Sequence, residues 1–219
     1  MKHTDPVILG ITGGVGTGKS TVLHYLKDRY GAALIQLDDV ARDLQQPGQE
    51  CYGPMLELFG PEYLNEDGTY NRSAVAARVF AQKELLQALN RIVHPAVKRR
   101  TLELIQAHRS APLIVIEAAL LLEDHYDEIC DEIWFVYAEE SVRRERLKKS
   151  RGYTDEKITR MFSSQRPDES YRASCDLTID NSSENIENTF RQLDEALSAR
   201  GILPAGHSIA GPPAADQDG

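Results

Sequence analysis

Val7 to Thr21 reads VILGITGGVGTGKST. It starts as a mostly apolar run, five glycines fall within Gly10–Gly18, and the stretch closes on Lys19-Ser20-Thr21. A short apolar run bounded by glycine reads as a buried strand. Glycines let backbone N–H groups turn inward and approach anionic oxygens with no Cβ in the way. A helix opening at Gly18 and running to about Tyr30 adds unpaired N–H groups and the positive end of its dipole. Gly13 to Ser20 match G-x-x-x-x-G-K-[ST], with the strand before and the helix after that this phosphate loop requires. In such a loop the lysine supplies a point charge for the β- and γ-phosphates, and the hydroxyl ligates Mg²⁺. A merely structural glycine turn would leave Lys19 and the two hydroxyls without a purpose. The expectation is a nucleoside triphosphate site.

The rest of the chain sets limits around that loop. Its 219 residues suffice for one domain with a sizeable core, read here as residues 1–200. A net charge of -9 argues against a broad nucleic-acid face, though not against a local anion site. Cys51, Cys130 and Cys175 form no CxxC pair, so neither a disulfide framework nor a zinc site is expected, and the natural setting is a reducing cytoplasm. No apolar run is long enough for a membrane span. Nothing in the residues sets an oligomeric state.

Further buried strands are expected at Leu113–Glu117, Ile133–Tyr137 and Leu177–Asp180, with a weaker one at Ala33–Leu37. Helical patterns lie between them, so the fold class is α/β, an open parallel sheet flanked by helices. Residues 41–110 carry only helical patterns and read as an inserted lobe, with Pro95 expected to kink or split its longest helix. Gly201 to Gly219, rich in Gly, Pro and Ala, reads as a flexible tail whose deletion is neutral.

Triphosphate binding leaves the reaction open. No Asn-Lys pair supplies a guanine motif, and Asp28 to Gly31 closes a helix, where Gly31 serves as its C′ residue. Arg143 to Arg151 (RRERLKKSR) holds six cations and one anion. Pairs Glu139–Arg143 and Glu140–Arg144 would suit a solvated helix. The remaining cations suit a lid that closes over a transferring phosphoryl group, Arg146 and Arg151 foremost. Asp38 and Asp39 follow the second strand, where an acceptor hydroxyl would meet the γ-phosphate. Asp38 is the candidate base, with helix capping as its alternative role. Glu117 ends the third strand, a place for a carboxylate facing Mg²⁺ or its waters, or simply solvent. A His-Pro pair such as His94-Pro95 is more often a packed kink than a ligand site.

Together, GITGGVGTGKST, LDDVARDLQQPG, DGTYNR, LQALNRIVHPAV, EAALLLE, RLKKSRG, SSQ and CDLTIDNSS occur in an order that resembles dephospho-CoA kinases, over about Val7 to Arg200. The resemblance implies a nucleoside-kinase-like core, a helical acceptor-binding lobe at 41–110 and a basic lid at 141–172. It implies ATP, Mg²⁺ and dephospho-CoA as partners, with transfer of the γ-phosphoryl group to the ribose 3′-hydroxyl. By position, Gly16, Thr17, Gly18, Lys19, Ser20 and Thr21 would hold the ATP phosphates, and Asn181 would sit near the adenine. Asp38, Arg42, Asn71, Arg72 and His94 would line the acceptor side. Where many members of that family carry Asp-x-Asp, this chain has Gln36 ahead of Asp38. A kinase for a nucleoside monophosphate, or a nucleotide-driven switch, are the rival readings.

Overall fold

A computed structural model describes residues 5–205. Five strands, β1 (Val7–Thr12), β2 (Ala33–Gln36), β3 (Leu113–Glu117), β4 (Glu132–Tyr137) and β5 (Leu177–Asp180), form one parallel sheet in the order β2-β3-β1-β4-β5. The α/β expectation holds, and all five expected strands are present. Two boundaries change: Leu37 starts a helix instead of ending β2, and β4 begins at Glu132 instead of Ile133.

The pleat divides each apolar run between two cores. In β3, Leu113 and Val115 face one side and Ile114 and Ile116 the other, all fully buried. One core joins the sheet to α1 (Lys19–Tyr30) and α9 (Glu187–Ala199) through Val22, Leu26, Leu193 and Leu197. The other joins it to α2 (Leu37–Leu44), α3 (Tyr52–Phe59), α4 (Arg72–Ala81) and α5 (Lys83–Ala107) through Val40, Met55, Val75 and Val97. These last helices make up the inserted lobe. A two-residue antiparallel bridge, Leu64 with Tyr70, interrupts its helical pattern. Pro95 does not split α5, which runs unbroken through it. A basic segment, α6 (Glu140–Arg151), is followed by α7 (Asp155–Ser163) and α8 (Asp168–Ser174).

The topology fixes where a ligand can bind. After β1 the chain passes into α1 on one face, whereas after β3 it continues into Ala118 and Leu121, which pack on the other face. Neighbouring parallel strands whose exits diverge leave a crevice at their carboxyl ends. Glu117 lies in register with Ile11 on one side and Gln36 on the other, at that crevice.

The expected tail begins too early. Ile202 is 8% exposed within the α1/α9 core, and the Ala205 N–H donates to the Arg29 carbonyl at 2.8 Å. A single isoleucine among Gly, Pro and Ala gives no period to read, yet it finishes the packing. Residues 206–219 of that tail lie outside the described residues. Truncation after Arg200 is therefore expected to lower the unfolding free energy by about 1.5–3 kcal/mol, the worth of one buried aliphatic side chain. Truncation after Ala205 keeps that contact, and denaturant titration of the two proteins separates them.

Candidate active site

The loop after β1 is shaped by residues packed against it from distant parts of the chain. Gly18 holds φ 90° at the start of α1, and a Cβ there would collide with the amide nitrogen of Asn181. Asn181, 2% exposed, donates from Nδ2 to the Thr17 carbonyl at 2.8 Å and accepts from the Thr189 hydroxyl at 2.8 Å. Its side chain thus braces the phosphate loop, with both ends of the amide engaged by protein. The Thr17 hydroxyl is likewise turned into the loop, donating to the Gly14 carbonyl at 3.0 Å. Ser20 and Thr21 stand exposed in the first turn of α1.

Lys19 reaches back across the loop. Its Nζ donates to the Gly13 carbonyl at 2.8 Å and lies 3.7 Å from Glu117 Oε1. Burial pushes the lysine pKa down, and the charges of Glu117 and Asp38 oppose that shift. Burial pushes the Glu117 pKa up, Lys19 opposes it, and Asp38 adds to it. Gln36, in register with Glu117 on the neighbouring strand, also opposes the rise. The chain therefore has an amide beside Glu117 at the position where a second acceptor-side acid would stand. Lys19, Glu117 and Asp38 form one electrostatic cluster at the carboxyl ends of three strands.

Asp38 and Asp39 both lie in the first turn of α2, whose cap position is Gln36. Asp38 is thus not the helix cap. It lines a cavity of 570 Å³ together with His94, Lys98, Ala119, Asp124 and Tyr126. Arg42, one turn along α2, pairs with Asp39 at 2.6 Å and lines a second cavity of 450 Å³ with Asn71 and Arg72. The Asn71 side-chain oxygen caps α4 by accepting from the Ala74 N–H at 3.1 Å, and Arg72 is exposed. The five expected acceptor-side residues therefore fall in two groups, Asp38 with His94 and Arg42 with Asn71 and Arg72, on a shared wall formed by α2.

The basic helix departs most from expectation. Arg143 does not pair with Glu139. It is 6% exposed, and it donates to the Val15 carbonyl at 2.9 Å and to Gln165 Oε1 at 2.6 Å. Asp168 Oδ1 lies 3.6 Å away, and the Phe162 ring stacks 4.3 Å from the guanidinium carbon. Gln165 Oε1 also accepts from the Val15 N–H at 3.3 Å, so α6 and the segment after α7 grip the phosphate loop together. The sequence carried one usable signal for this: Arg143 lies four residues before buried Leu147, on the inward stripe of α6. Arg146 is also tied to the loop region, donating to the carbonyls of Asn181 at 2.9 Å and Thr17 at 3.4 Å. Arg151 is exposed at the end of α6, its guanidinium 5.9 Å from the Tyr153 ring. Arg144 keeps its expected partner Glu140 at 2.8 Å.

Sequence reasoning also passed over Arg166. It lies 3.4 Å from Glu123 and lines a 400 Å³ cavity with Gly14, Leu120 and Gln165. Ala119, Leu120 and Glu123 line this cavity and the Asp38 cavity alike, so the two adjoin and lead from the phosphate loop to His94. Among the described residues no group of three or more His, Cys, Asp or Glu side chains could hold a metal ion. The hard oxygen donors Ser20 and Glu117 would suit Mg²⁺ arriving with phosphates, since that ion keeps most of its ligands from water and substrate.

Comparison with known proteins agrees with this fold. The family profile described as dephospho-CoA kinase matches residues 7–187. A dephospho-CoA kinase of Halalkalibacterium halodurans is 36% identical over 203 residues, 90% of this chain and 98% of its own length. One of Corynebacterium efficiens is 35% identical over 192 residues, 87% of this chain and 95% of its own. Among solved structures, protein TT1252 of Thermus thermophilus superimposes with a TM-score of 0.78 at 30% identity, covering 90% of this chain and 98% of that one.

Proposed function

The chain belongs to the dephospho-CoA kinase family, whose reaction is the final step of coenzyme A biosynthesis, and from that premise we propose how its residues divide the work. The γ-phosphoryl group of ATP passes to the ribose 3′-hydroxyl of dephospho-CoA. The acceptor oxygen forms a bond to the γ-phosphorus, the bond to the β–γ bridging oxygen breaks, and ADP leaves. The hydroxyl proton goes to the Asp38 carboxylate. With a loose transition state Asp38 orients the hydroxyl first and takes the proton late. The observation that carries this reading is the cluster of Lys19, Glu117 and Asp38, with Asp38 also in the His94 cavity.

Gly16 to Thr21 receive the phosphates of ATP, with Lys19 leaving the Gly13 carbonyl for the β/γ-phosphates. Mg²⁺ neutralises phosphate charge when bound, and Ser20 and Glu117 are the residues that would hold it. Residues 41–110 serve as the acceptor lobe, and residues 141–172 as a lid. Within that lid Arg146 and Arg143 hold the loop, and Arg151 is the exposed cation that closes last. No helix among the described residues is long and apolar enough to cross a membrane.

Purified protein incubated with Mg-ATP and dephospho-CoA, AMP, CMP or no acceptor tests the reading by mass spectrometry of products. CoA is expected with dephospho-CoA alone. Phosphorylated AMP or CMP would mark a nucleoside monophosphate kinase, and ADP release at the same rate without acceptor would mark a switch.

A further inference from the structure

His94 and Lys98 lie one turn apart on α5 and engage the same loop. His94 Nδ1 is 2.9 Å from Asp124 Oδ1. Lys98 Nζ is 3.4 Å from the His125 carbonyl oxygen and 3.5 Å from Glu128 Oε2. The loop also holds itself: the Asp124 N–H donates to the Leu120 carbonyl at 3.0 Å, and the Tyr126 N–H to the Leu121 carbonyl at 2.9 Å. Between them His125 adopts φ 55°, the one positive φ outside glycine among the described residues. A strained residue of that kind persists only where its surroundings over-determine it. Here they are α5 on one side and buried Tyr126 on the other.

An ordinary surface ion pair would contribute about 0–1 kcal/mol and would not call for a strained neighbour. His94, Lys98 and Asp124 all border the cavity that contains Asp38. With Asp124 on Nδ1, the neutral imidazole carries its proton there and has Nε2 left for whatever occupies the cavity. We propose that Asp124 is a positioning residue for the acceptor: it fixes the ring angle and tautomer of His94, so that Nε2 accepts a hydrogen bond from a hydroxyl or amino group of the acceptor beside Asp38. This rests on the proposed reading of that cavity as the acceptor site.

A double-mutant cycle tests the idea. Asp124→Ala should raise the KM for dephospho-CoA about tenfold, the scale of one lost hydrogen bond in a binding site, with kcat and the KM for ATP within about twofold. His94→Ala should show the same loss, and the double variant should be no worse than His94→Ala alone. Asp124→Asn, whose carbonyl still accepts from Nδ1–H, should recover most of the affinity. Losses that add in the double variant would overturn the proposal, as would an unchanged KM in Asp124→Ala or an equal rise in the KM for ATP. A second readout needs no turnover. Long-range ¹H–¹⁵N spectra, with His94 assigned from the His94→Ala protein, should show the Nδ1–H tautomer in the wild type and a shift toward Nε2–H in Asp124→Ala. The same tautomer in both would overturn the proposal. If the wild type forms no CoA, the functional reading fails, while the spectra still decide whether Asp124 sets the state of His94.

Discussion

Lys19→Ala should lower kcat for CoA formation by about 10³-fold and leave the folded structure in place. Removing one preorganised donor aimed at developing charge costs about 10²–10³ in rate, and here the lost donor carries a full charge beside transferring phosphates. In the free protein the same ammonium does structural work, since it meets the Gly13 carbonyl and stands opposite Glu117. The variant must therefore be shown to fold, and the electrostatics provide the check. Burial already raises the Glu117 pKa, and Lys19 is the charge that opposes the rise. Without Lys19 that pKa climbs further. A carboxyl with a raised folded-state pKa binds its proton more tightly in the native than in the unfolded protein. Its stabilising effect is present below the unfolded value and is lost as pH rises through the folded one. The melting temperature of Lys19→Ala should therefore gain on that of the wild type as pH falls from 7 toward 5. Adding Glu117→Gln should restore stability at pH 7 without restoring turnover. A Lys19→Ala protein with near-normal kcat would remove Lys19 from the chemistry.

What the sequence makes legible follows the range of the forces involved. The phosphate loop is local: strand, glycines and helix N-terminus are adjacent in the chain, and each residue type has a reason that needs nothing distant. Gly31 is of the same kind, a left-handed helix terminus at φ 65°. Arg143 is the opposite case. Spacing offers it Glu139, four residues away, whereas its hydrogen-bonding partners are Val15 and Gln165, 128 and 22 residues distant. Asn181 is legible as a residue that matters, but its role depends on how β5 exits against the loop, which no local pattern encodes. His94 and Asp38 meet through the packing of α5 on α2, and only the family resemblance brought them together beforehand. Arg42, Asn71 and Arg72, which the resemblance also places on the acceptor side, line a second cavity along α2, a division that no local pattern encodes.

Asp38→Asn separates chemistry from fold most cleanly. The substitution keeps size and shape, and its carbonyl can still accept a hydrogen bond, but it cannot take the proton of the acceptor hydroxyl. A positioned base contributes about 10²–10⁴ in rate, so kcat should fall by at least about 10²-fold. The KM for ATP should hardly change, because the phosphate loop is braced by Asn181, Arg143 and Gln165 and not by Asp38. Stability should hardly change. Asp38 is exposed, and its charge pushes up the pKa of nearby Glu117 while supporting the buried Lys19 cation, so its removal relieves one neighbour and weakens the other. The opposite pattern belongs to the structural alternative. An acid in the first turn of α2 interacts favourably with the helix dipole, and if that were its whole role the variant would lose about 0.3–1 kcal/mol of stability and keep its kcat. Steady-state kinetics and a thermal melt on the same preparation therefore separate the two roles: a base costs rate without stability, and a helix-end charge costs stability without rate.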